Sequence, residues 1–266
     1  MVRSLVLVLV AAACTHPDEA EIVQPLESTL GAAVPAAYFA TVTMNALNGR
    51  VSPCANVLSG GGDVHVEVGL GGSCPPMYGH DAGTMVVTGT WTPSLATFVM
   101  DFTGITQDGE PMLVVGIGSM TVAPSGAHYT IAYGEESIKI ATGELVGAGI
   151  EQIAWVVDVD TRSTDDPSDD TITVSGGDQS LLAASGDHKA EADVTQVAVG
   201  NAVFLSGCRK NPSNGVAAVQ RASTRGGGWI LYGFHSACDG NVDVVAAMAP
   251  YELMLGKSVS LGFLQR

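Results

Sequence analysis

From Ala36 onward the chain alternates apolar and polar residues in short runs separated by turn-forming residues. In residues 97–103, Phe98, Met100 and Phe102 fall on one side and Asp101 on the other. In residues 153–160, Ile153, Trp155, Val157 and Val159 share a side, with Asp158 and Asp160 opposite. Val259, Leu261 and Phe263 repeat the pattern near the C-terminus. A period of two with one apolar side is the mark of a strand that buries one face and wets the other. Strands are expected near 36–46, 63–69, 84–91, 97–103, 111–122, 127–133, 136–141, 150–160, 171–174, 190–205, 215–222, 228–235, 241–247 and 257–264. Asn48-Gly49, Asp108-Gly109, Ser125-Gly126, Asn214-Gly215 and Asp239-Gly240 supply turns between them. Helix is scarce, and "GDQSLLAASGDHK" holds one turn at most. One-sided alternation means antiparallel sheets. The predicted fold class is all-β, an antiparallel β-sandwich or barrel-like sheet spanning 36–266, with room for two packed β units divided near residue 145.

The N-terminus breaks this pattern. Arg3 precedes an apolar run, Leu5 to Val10, and a small-residue zone, Ala11 to Ala13, ends at Cys14. That run of about ten residues is too short for the ~20 of a spanning helix, and it has the layout of a signal peptide over residues 1–13. Small residues directly before a cysteine resemble the bacterial lipoprotein signal, in which the Cys14 thiol receives a diacylglycerol and becomes the new N-terminus. The match departs from that pattern at Ala11, where the family carries Leu, so plain cleavage after Ala13 is the alternative. Residues 14–35 contain Pro17, Pro25 and Pro35 with four acidic residues and no sustained period. They read as an acidic, proline-containing tether.

Composition narrows the partners. Hydrophobic residues make up 46 % of the 266 and charged ones 14 %, which excludes a disordered chain. Eleven Lys and Arg against 27 Asp and Glu give a net charge of −16, which disfavours nucleic acid and anionic headgroups. The lipoprotein-like leader implies instead a membrane partner reached through a lipid on Cys14. Without Cys14, four cysteines remain, and three pairings are open to them. The local ones, Cys54–Cys74 and Cys208–Cys238, are expected because each falls within one strand–loop–strand unit. Disulfides imply an oxidising compartment.

Candidate chemistry is sparse. "DVDTRSTDDPSDD" places Asp158, Asp160, Asp165, Asp166, Asp169 and Asp170 within one strand end and its loop, an oxygen-rich set of the kind Ca²⁺ takes. Arg162 stands where a third ligand of a D-x-D-x-D loop belongs, so a solvated acidic loop is the plainer reading, and no other cofactor is expected. Asp63, His65 and Glu67 alternate onto one strand side, as ligands for a transition metal or as a simple wet face. His16, His80, His128, His188 and His235 are scattered. No G-x-S-x-G elbow, H-E-x-x-H helix or P-loop is present, so no catalytic residue is assigned. Trp91, Trp155 and Trp229 all lie in or at the end of expected strands, where core packing is favoured over ligand stacking.

The segments "GCRKNPSNGVAAVQ" and "WILYGFHSACDGNVDV" are similar to stretches of uncharacterised lipoproteins of myxobacteria and related bacteria. The resemblance rests on Cys208, Pro212, Gly215, Cys238, Asp239 and Gly240 and covers about a quarter of the chain. It implies a lipoprotein and no activity. The expectation is an exported, lipid-anchored protein of the bacterial outer membrane or cell surface, serving as a non-enzymatic binding or structural module. A periplasmic or secreted location is the alternative. The rival functions are a Ca²⁺-dependent adhesion domain using Asp158–Asp170, and a secreted hydrolase on a β scaffold.

Overall fold

The computed structural model describes residues 19–49, 55–58, 62–70, 81–107, 110–111, 114–133, 138–140, 149–151, 153–164, 169–183, 192–206, 208, 211–223, 226–248 and 254–260. It opens with one long helix, α1 (Glu19–Leu47). The first strands are β1 (Ala55–Val57), β2 (Asp63–Leu70), β3 (Asp81–Thr92), β4 (Leu95–Asp101), β5 (Ile105–Gln107) and β6 (Glu110–Pro111). Next come β7 (Val114–Ser125), β8 (His128–Tyr133), β9 (Ile138–Ile140), β10 (Gly149–Glu151) and β11 (Val156–Asp160). The last are β12 (Thr171–Ala183), β13 (Ala192–Phe204), β14 (Asn214–Ser223), β15 (Gly226–Gly233), β16 (Asn241–Met248) and β17 (Met254–Ser260).

All strand pairings are antiparallel, and the all-β expectation holds. The backbone of the sheet is a meander, β1-β2-β3-β4-β7-β8-β11-β12-β13-β14-β15-β16-β17, with β5, β6, β9 and β10 as short side pieces. It is one sheet, not the two facing sheets of a sandwich. The ladder of β8 with β11 joins residues on both sides of position 145, from Asp160 opposite His128 to Val156 opposite Ala132. The sheet curls around α1, which touches β1, β2, β7, β8, β11, β12, β13, β14 and β17, without closing into a barrel.

The helix corrects the expectation of a strand over 36–46, and it takes up residues 19–35 of the expected tether, whose first residues, 14–18, lie outside the described residues. Ile22, Leu26, Leu30, Val34, Ala37, Phe39, Val42 and Met44 are all buried, together with Thr29, Thr41 and Thr43. From Ala33 to Asn45 every described position but Tyr38 is buried, and a helical stretch buried on all sides belongs in an interior. Pro25 and Pro35 each remove one i→i−4 bond, at about 3 kcal/mol apiece in isolation, and Val and Thr lower helix propensity. Burial inside the sheet overrides these local preferences. Gly49, at φ 76°, ends the helix in the left-handed conformation, and the amide of Asn48 bonds the Met44 carbonyl at 3.0 Å. Thus the Asn-Gly pair expected to make a hairpin terminates a helix instead. Among the described residues no helix is long and apolar enough to cross a membrane.

Polar contacts fix the helix within the apolar interior. Tyr133 donates to the Ala33 carbonyl at 2.7 Å, Tyr129 to Asn45 Oδ1 at 3.0 Å, and Tyr232 to the Ile22 carbonyl. Each phenol would otherwise leave a buried hydroxyl unsatisfied, so each specifies where the helix sits along the sheet.

The Cys208–Cys238 disulfide is present, with Cα atoms 5.7 Å apart. Beside it, fully buried Asn211 donates through Nδ2 to the carbonyls of Pro212, His235 and Ala237 and accepts from the amide of Gly240 at 2.9 Å. One amide side chain therefore reinforces the covalent link between the two loops. Cys14, Cys54 and Cys74 lie outside the described residues.

Candidate functional site: a groove on the outer face

The register of β12 to β15 builds an open groove in the outer surface. Gln196 of β13 lies opposite Gln220 of β14, and Gln220 lies opposite Trp229 of β15. One step along the strands, Gly177, Ala198 and Ala218 form a parallel row, Gly177 opposite Ala198 and Ala198 opposite Ala218. Side chains two apart on a strand share a face, so both rows point outward. The small row is a floor and the Gln-Gln-Trp row is its wall. The resulting open groove has a volume of about 730 Å³, with Ala154 closing its far side. Gln196 and Gln220 are exposed, and Trp229 is 42 % exposed. Leu231, opposite Ala218, continues the apolar surface beyond the tryptophan at 47 % exposure.

Gly176 and Gly177 shape the floor. Gly176 has φ +105°, and a Cβ there would stand 2.0 Å from the Ala154 carbonyl oxygen. The amide of Ala154 in turn donates to the Gly177 carbonyl at 2.8 Å. Bare backbone therefore lets the segment before β11 close against β12, which glycine alone permits. On the facing strand the register slips by one residue around Gly200 and Asn201, and Asn201 has φ 52°. This bulge keeps Val197, Val199, Ala202 and Phe204 all on the inner side.

Directly after the glycines, Asp178 turns inward and is 5 % exposed. One oxygen, Oδ2, accepts from Thr29 Oγ1 of α1 at 2.7 Å and from the Trp155 indole at 2.9 Å. The other, Oδ1, has no hydrogen-bond partner. Burial pushes the Asp178 carboxyl up to about 6, against the lowering effect of its two donors. Trp155 packs edge-on against Tyr133, with ring centroids 5.2 Å apart. Burial also raises the Tyr133 phenol above its usual range. Asp178, Trp155, Tyr133 and Thr29 form a polar seam between helix and sheet, beneath the floor of the groove.

Among the described residues, those singled out from the sequence are placed as follows. Asp158 and Asp160 share the outer side of β11, as expected. Asp158 pairs diagonally with His128 at 3.3 Å, both about half exposed. Asp160 accepts the amide of Arg162 at 2.9 Å, and Asp169 accepts from Thr164 Oγ1 at 2.7 Å. Asp170 is buried. Asp165 and Asp166 lie outside the described residues. These carboxylates serve turn and strand contacts, and among the described residues no group of three His, Cys, Asp or Glu is placed to hold a metal ion. Asp63, His65 and Glu67 occupy the wet side of β2 while Val64, Val66 and Val68 face in. His235 lies next to the loop of Asp239, whose carboxyl is held below its usual range first by the amide of Asn241. His16, His80 and His188 lie outside the described residues.

The three tryptophans part company. Trp155 is fully buried and Trp91 is partly buried against the core, its indole nitrogen without a partner. Trp229 corrects the expectation of core packing, because it stands on the outer face. Its strand was legible, but which face it occupies depends on a pairing register that sequence alone leaves open. Gln196 and Gln220 also lay on expected strands, with no signal that they are neighbours. Asp178 was missed because β12 runs on to Ala183, well beyond the expected end at residue 174. No family model, curated protein or solved structure matches the chain.

Proposed function

We propose that the chain is an exported, lipid-anchored cell-envelope protein that acts as a non-enzymatic binding module, with its site on the outer face of β12 to β15. The observation that carries the binding reading is the groove itself, whose exposed lining includes the two amides of Gln196 and Gln220 and the indole of Trp229. Helix α1 packs in the interior of the curled sheet. The His128–Asp158 contact stands on open surface and neither residue lines the groove, which favours binding over hydrolysis there. The Cys208–Cys238 bridge supports an oxidising compartment, in line with the leader and with the lipoprotein resemblance.

The fold gives the anchor a geometric consequence. Only four residues separate Cys14 from Glu19, where α1 begins. Five peptide steps reach about 18 Å at full extension. A lipid on Cys14 therefore holds the domain close against the bilayer instead of at the end of a long tether. Mass spectrometry of the N-terminus from the native membrane fraction tests the proposal. A diacylglyceryl Cys14 is the expected result. A cut after Ala13 without lipid replaces the anchored form with a soluble exported one, and an unprocessed Met1 overturns export.

A further inference from the structure

Resting on that binding reading, we infer that the groove takes an uncharged, extended oligosaccharide, stacked on Trp229 and hydrogen-bonded along its edge by Gln196 and Gln220. Three observations point to this chemistry. A sugar ring has an apolar face of C–H groups and a rim of hydroxyls, so its receptor needs an aromatic face beside groups that both donate and accept. An indole supplies the first and a primary amide supplies the second. Trp229 and Gln220 are direct cross-strand partners, and Gln196 is the next rung, which places all three in one line across the strands. An extended chain of rings fits such a line better than a compact metabolite does.

The second observation is charge. The chain carries −16, and around the groove the base Arg221 is offset by the acid Asp178. Carboxylated or sulfated ligands therefore meet long-range repulsion. A neutral ligand escapes that penalty. The third is shape. Gly177, Ala198 and Ala218 leave the floor low for a stretch in which larger side chains would fill it. The volume of about 730 Å³ lies within the usual range of small-ligand sites, roughly 300–1,000 Å³. Leu231 extends the apolar surface past Trp229, as a second ring would require.

The test is calorimetric titration of the full chain with cellohexaose, chitohexaose and maltohexaose, with heparin as the anionic control, alongside Trp229→Ala and Gln220→Ala. At least one neutral oligosaccharide is expected to bind and heparin is not. Trp229→Ala should weaken that binding by about tenfold or more, the usual scale for losing an aromatic anchor, and Gln220→Ala by several-fold. Both variants should keep the wild-type Tm, since both side chains are exposed. No binding to any of the three sugars, or binding indifferent to Trp229→Ala, overturns the inference. Concentration-dependent self-association abolished by Trp229→Ala also overturns it, by making the patch an interface between copies. Sedimentation with purified cell envelopes separates the two levels. Pelleting that depends on Trp229 without sugar binding keeps the binding module and rejects the glycan, whereas no pelleting and no sugar binding rejects both.

Discussion

Trp155 and Trp229 lie on opposite sides of one curled wall, and the difference between them organises the molecule. Trp155 points inward, is fully buried, donates to Asp178 and packs against Tyr133. Trp229 points outward beside Gln220, with much of its indole in solvent. The inner tryptophan belongs to a seam in which Thr29 and Trp155 both donate to one oxygen of Asp178, and that seam couples the sheet to the helix. The outer one stands apart from that coupling and is open to solvent. The same residue type in the same alternating pattern thus packs the core on one face and, in the binding reading proposed above, serves recognition on the other.

Trp155→Ala should break the inner side most severely. It opens a large cavity and takes a donor from a buried carboxylate, so a loss of about 4–5 kcal/mol is expected in urea denaturation. Gly176→Ala comes next and tests whether the groove floor is structural. Its Cβ would collide with the Ala154 carbonyl at a positive φ, so a loss of about 3 kcal/mol is expected although Gly176 itself is exposed. A loss below ~1 kcal/mol would show that the segment before β11 is free to move away.

Asp178 gives the comparison a pH axis. Its carboxyl rises from the ordinary 3.8 to about 6 on folding, so the folded chain binds the proton more tightly than the unfolded one. The stabilising effect of that proton is complete below about 4 and disappears as pH rises through about 6. Wild-type stability relative to Asp178→Asn should therefore fall by roughly 2–3 kcal/mol across that window. Equal pH profiles for the two proteins would mean that the carboxyl is not buried as described. Finally, Trp229→Ala should change stability by only about 0.5 kcal/mol, the scale of an exposed substitution. A loss of several kcal/mol would erase the distinction between the two faces.

Much of the wall was legible in the sequence because a period of two is local information. Phe98, Met100 and Phe102, or Val157 and Val159, declare a buried side without reference to any partner strand. The same holds for Cys208 and Cys238, close enough in sequence for the local pairing to be the simplest. Other features were invisible for definite reasons. The segment around Pro25 and Pro35 carries helix-breaking signals that are outweighed only when the sheet surrounds it. Asn211 looks like an ordinary loop residue until the His235, Ala237 and Gly240 backbone closes around it. The Gln196–Gln220–Trp229 line exists only through pairing register, which a slip of one residue would abolish.

By itself, then, the sequence determined an antiparallel β protein of strongly acidic composition with no recognisable catalytic motif, since each follows from composition or from neighbours along the chain. Only the tertiary structure decided that residues 19–35 of the supposed tether belong to a helix packed in the core, that the described carboxylates of the acidic loop make local contacts, and that one tryptophan of three faces outward. Those outcomes depend on which distant strands meet and in what register. Burial inside a curled sheet is a property of the assembled whole, strong enough to reverse the preference of any single segment.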